Sequence, residues 1–103
     1  MSAAADWLRG HVNAAPEPLL ATMIEALPEA GDLPLPEQLA EGALRLYSRV
    51  VRGSGGREDA LPLLAADALL THAFQAQAGE DPEGLGRLAE RWGARGRLGE
   101  VPL

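Results

Sequence analysis

The chain has 103 residues, no cysteine and a net charge of −6, which predicts one domain, residues 1–103, held by packing without disulfides or thiolate metal sites. That charge argues against nucleic acid and anionic membrane surfaces as partners, since both call for a cationic face. The apolar fraction is 47% but only 4% is aromatic, so the expected interior is built from Ala and Leu, which suits helices that approach one another closely.

All nine basic residues are Arg, and with the Ala, Gly and Leu bias this reads as the codon habit of a GC-rich bacterium. Asp6 falls where a signal peptide would carry its apolar run, and the longest uncharged stretch, Ala68 to Gly79, is shorter than the ~20 apolar residues of a membrane span. A cytoplasmic protein without a membrane partner is expected.

A first helix over about residues 3–12 is predicted from Ser2 as N-cap before "AAADWLRGHV", with Asn13 as its stop and Trp7, Leu8 and His11 on one side. Four later starts share one grammar, proline beside an acid: "APEPLL", "LPEQLA", "EDALPLL" and "EDPEGLG". Proline suits the first turn because its missing N–H has no partner there, and acids suit the positive end of the helix dipole. The second helix, about 16–29, carries Leu20, Met23, Ile24 and Leu27 at helical spacing. After the loop "PEAGDLPLP" comes a third, about 36–52, with Leu39, Ala43, Leu46, Tyr47 and Val50 inward and Arg45, Arg49 and Arg52 toward the other face. "GSGG" ends it.

The fourth helix, about 59–78, is apolar nearly all round, so it is expected to be the central element that the others surround, with Leu64 in the core. Asp59 as N-cap leaves Pro62 harmless in the first turn. The fifth, about 82–93, opens on Asp81 as cap and Pro82, and its stripe is Leu85, Leu88, Ala89 and Trp92. The tail "GARGRLGEVPL" has room for one more turn. The reading is all-α: a compact bundle of about five helices.

Polar residues within the fourth helix raise the question of a site. Asp67 and Thr71 share a face with Leu63, Leu64 and Phe74, and a buried carboxylate needs a partner, either an Arg from the third or fifth helix or the Thr71 hydroxyl. Leu64, Asp67, Thr71 and Phe74 could instead line an apolar pocket between helices. His72 lies about 140° around the helix from Asp67, and His11 is on another helix, so no metal is expected. "RGSGGRED" has glycines before a helix start but lacks a preceding strand and the Lys-Ser/Thr ending of a phosphate cradle, so it reads as a plain loop. Arg87, Arg91 and Arg95 recur every four residues and offer a complement to an acidic surface, including that of a second copy.

Over residues 64–99, "LAADALLTHAFQAQAGEDPEGLGRLAERWGARGRLG" resembles one helix pair of trans-polyprenyl diphosphate synthases, in which a "GDALLT" helix precedes a second helix and a Gly-rich turn. The aspartate-rich "DDxxD" motifs of that family are missing, and Ala66 stands where its motif has Gly. The resemblance therefore implies shared helical packing, in a non-catalytic relative or partner of such enzymes, and not prenyl transfer.

No acid, base and nucleophile set is assembled, so the expected function is non-enzymatic and cofactor-free: contact with another protein or with itself. A symmetric homodimer is predicted, using Trp7, Trp92 and the stripe Arg87, Arg91 and Arg95, because tryptophan anchors interfaces. The alternative is a small-molecule-binding module with a pocket at Leu64, Asp67, Thr71 and Phe74.

Overall fold

The computed structural model describes residues 3–29, 33–53, 55–93 and 96–100. Five helices follow in order: α1 (Ala3–His11), α2 (Glu17–Glu25), α3 (Leu35–Val51), α4 (Ala60–Glu80) and α5 (Leu85–Trp92). Short 3-10 turns at Arg57–Asp59 and Pro82–Gly84 lead into α4 and α5, and a third at Arg97–Glu100 provides the further turn expected in the tail. No strand occurs among the described residues, and the all-α bundle is the fold found.

The helix starts follow the proline grammar, with local differences. Pro18 and Pro36 sit in the first turns of α2 and α3, where a missing N–H leaves no bond unmade. α2 is shorter than expected and ends at Glu25, because Pro28 disfavours helical geometry in the residue before it and supplies no donor. Asp81 caps as expected, its Oδ1 accepting from the Glu83 amide at 3.2 Å. Asp59 does not cap. It is itself in helical geometry, and its carboxylate turns back to accept from the Gly55 amide at 2.7 Å, pinning the loop where Gly55 takes φ +79°. Ser2 lies outside the described residues.

One apolar cluster unites the helices. Ala4, Ala5 and Leu8 come from α1, Leu20 and Met23 from α2, Leu39, Ala40, Ala43 and Leu46 from α3, and Leu88 and Trp92 from α5. The most extensive packing is between α3 and α4, and α4 also touches α2 and α5. Small residues permit this closeness: Ala40, Gly42 and Ala43 are buried on α3, and Ala65, Ala66, Ala73 and Ala76 on α4 around the fully buried Leu69. A Cβ added at Gly42 would stand 3.1 Å from Leu69 Cδ1 and 3.4 Å from the Ala26 carbonyl oxygen. A Cα radius of gyration of 13.1 Å is that of a compact chain of this length.

α4 is central in its contacts but is not surrounded, which corrects the sequence expectation. Its inner face is Pro62, Ala65, Ala66, Leu69, Ala73 and Ala76. Its outer face is open to solvent, and Leu64, expected in the core, is 59% exposed. The reason is steric. Close approach to α3 needs alanine at the contact, so the branched leucines of the first two turns are turned outward.

Candidate functional site

Asp67 and Thr71 lie on the outer face of α4 and are exposed, and Phe74 is half-buried against the core. Of the four residues expected to form a buried polar site or pocket, Leu64, Asp67 and Thr71 thus form surface, and only Phe74 packs against the core. Among the described residues, neither an Arg nor Thr71 meets Asp67. The partner is Tyr47 of α3, whose hydroxyl donates to Asp67 Oδ1. Partial burial pushes the Tyr47 phenol well above the ordinary tyrosine range, and the hydrogen bond to Asp67 and its negative charge push the same way. Tyr47 is legible in the sequence as an inward residue of α3, but its pairing across two helices is not.

The two histidines converge on one indole. Trp7, half-buried on α1, stacks on His11 with ring centroids 4.0 Å apart and 14° between planes. His72 of α4 meets the same indole edge-on at 6.0 Å. Both imidazoles have other duties: His11 Nδ1 lies 2.9 Å from the Trp7 carbonyl oxygen and His72 Nδ1 lies 2.6 Å from Gln75 Oε1. No group of three or more His, Asp and Glu side chains among the described residues is arranged to hold a metal.

The arginine stripe finds carboxylates within its own chain. Arg87 pairs with Asp81 at 3.3 Å and Arg91 with Glu37 at 2.7 Å. Arg97 pairs with Glu41 at 3.3 Å and lies over the Trp92 ring, 4.8 Å from its centroid. Glu37 and Glu41, one turn apart on α3, therefore hold α5 and the C-terminal turn. Arg95 lies outside the described residues. Trp92 is only 3% exposed, and its Nε1 finds no acceptor among the described residues. It seals the chain's own core, so it is not free to anchor an interface as expected.

Two features were missed by sequence reasoning. The first is a set of exposed large apolar side chains, Leu61, Leu63 and Leu64 on α4 with Val51 at the end of α3. The second is a cleft of about 320 Å³ on α3 beside the C-terminal turn, lined by Glu41, Leu44, Arg45, Ser48, Arg52 and Arg97. The spacing of Arg45 and Arg52 on one face of α3 was a signal for it, but Arg97 arrives only through tertiary structure. Another cleft, of about 300 Å³, lies between the start of α3 and α5, where Arg87, Arg91 and Glu37 are already paired.

No helix among the described residues is long and apolar enough to cross a membrane. No protein-family profile matches the chain, and no curated protein or solved structure is significantly similar to it.

Proposed function

We propose that the chain is a non-enzymatic helical module that works by protein contact, with a second copy of itself as the occupant of the outer face of α4. The observation that carries this reading is the exposure of Leu61, Leu63 and Leu64 at 38%, 41% and 59%, with Val51 at 37%. Leucines placed outward while alanines go inward are the reverse of what a monomer's own burial favours.

Charge favours a like partner. The chain carries −6 overall, yet between Ala60 and Ala78 the outer face of α4 has one charged residue, Asp67, which Tyr47 already engages. A strongly cationic or anionic partner would find little to pair with there. Two copies crossing near Leu64 would bury leucine on leucine and leave both Asp67 carboxylates toward the rim, as a two-fold contact requires. The patch is small for an interface, so the association is weak.

Sedimentation equilibrium tests the proposal. The wild-type chain should rise above its 10.8 kDa monomer mass as concentration increases, and the Leu61→Glu/Leu64→Glu double variant should stay monomeric with unchanged helicity. A wild-type chain that remains a single monomeric species through high micromolar concentration, or a double variant that associates equally well, overturns it.

A further inference from the structure

An acidic chain has gathered three of its arginines around one cleft. Arg45 and Arg52, both exposed, lie on one face of α3 with Ser48 between them, and Arg97 closes the cleft from the C-terminal turn. Glu41 is the lone acid in the lining, and Arg97 already pairs with it. Arg45 and Arg52 make no ion pair with any described residue. Arg45 gives only a long 3.4 Å bond to the Leu27 carbonyl oxygen. The negative end of the α3 dipole amounts to about half a charge, so three guanidiniums against one carboxylate leave the cleft positive.

We infer that this cleft is a binding site for a small organic anion bearing a phosphate monoester. The guanidinium fork matches phosphate oxygens bidentately, and Arg45 and Arg52 offer two such forks with the Ser48 hydroxyl as a further donor. Arg97 is held in advance by Glu41 and by the Trp92 ring, so one wall is ordered before the ligand arrives. Leu44 supplies an apolar surface for the organic part. A volume of about 320 Å³ suits a small molecule and not a polymer strand, whose neighbouring charges would meet an acidic surface. None of the α4 leucines lines the cleft, and the inference does not depend on self-association.

Amide NMR titration of the full chain with glycerol phosphate tests the inference, with inorganic phosphate and an oligoglutamate peptide as parallel probes. Saturable shifts around Leu44, Ser48 and Arg52 are expected with glycerol phosphate. The Arg45→Gln/Arg52→Gln double variant should weaken binding by about tenfold or more while keeping its circular dichroism. Both arginines are exposed, so this variant should fold; if it does not, Arg52→Gln alone serves. Inorganic phosphate binding as tightly as glycerol phosphate would assign the site to the phosphate group without an organic part. Tighter binding of oligoglutamate would replace the small-molecule reading with an acidic protein partner. Absence of saturable shifts at low-millimolar glycerol phosphate, or shifts that survive both substitutions, overturns the inference.

Discussion

Leu64 and Leu69 are chemically identical and five positions apart on α4, yet one is 59% exposed and the other is fully buried. Truncating Leu69 opens a cavity against Gly42 and the α3 alanines, so Leu69→Ala should cost about 2–5 kcal/mol. Leu64→Ala should stay within about 0.5 kcal/mol in the monomer. Urea melts of the two variants check the contrast, and equal losses would mean that the facing of α4 is wrong. Tyr47 carries a second expectation. Its phenol holds its proton more tightly in the folded than in the unfolded chain. The stability this contributes is fully present below the unfolded value near pH 10 and is lost as pH rises toward the folded value. Because this is the one tyrosine of the chain, phenolate absorbance reports it directly. Ionisation should begin at higher pH than in the urea-unfolded protein, and Asp67→Asn should restore only part of the difference, since burial is the largest single cause and is left in place.

At the scale of elements, the α3–α4 pair depends on small residues at its contact. Alanine ordinarily improves on glycine in a helix by about 1 kcal/mol, and Gly79→Ala in α4, where an added Cβ meets nothing within 4 Å, should stabilise by a few tenths to about 1 kcal/mol. Gly42→Ala should do the opposite. The added methyl would stand 3.1 Å from a Leu69 side chain that is fully buried and has little room to yield, and overpacking of about 1–3 kcal/mol outweighs the gain in propensity. Thermal melts of the two variants should shift in opposite directions. The Glu37–Arg91 and Glu41–Arg97 pairs join α5 and the C-terminal turn to α3, but Arg91 is exposed and Arg97 is only half-buried. They orient these elements more than they stabilise them.

For the whole molecule, association and stability are linked. If two copies bind through α4, folding is favoured by mass action and the melting temperature must rise with protein concentration. Differential scanning calorimetry over about a hundredfold range of concentration should therefore show an upward drift in the wild type and none in Leu61→Glu/Leu64→Glu. A flat response in both would leave the outer leucines without a partner copy. The apolar cluster draws on all five helices and closes without disulfide or metal cluster among the described residues. A chelator should accordingly leave the melting curve unchanged, which the same calorimeter can read.

The sequence by itself determined the element order and most boundaries, because the signals are local. Proline in a first turn, Asp81 as a cap and the break at "GSGG" act within a few residues of the backbone they shape. It also determined the large inward residues of α2, α3 and α5, where Leu20 and Met23, Leu39 and Leu46, and Leu88 and Trp92 stand out against polar neighbours, although Ala89, read as part of the α5 stripe, is exposed. α4 offered no such contrast, since Leu63 and Leu64 are as apolar as Ala65 and Ala66. Only the tertiary structure chose its inner face, through the close fit of alanines to α3 around Gly42. The same holds for the pairing of Tyr47 with Asp67, of Arg91 with Glu37 and of Arg97 with Glu41. Hydrophobic periodicity reports how one helix contrasts with water, whereas shape complementarity and charge pairing depend on two helices brought together by the rest of the chain.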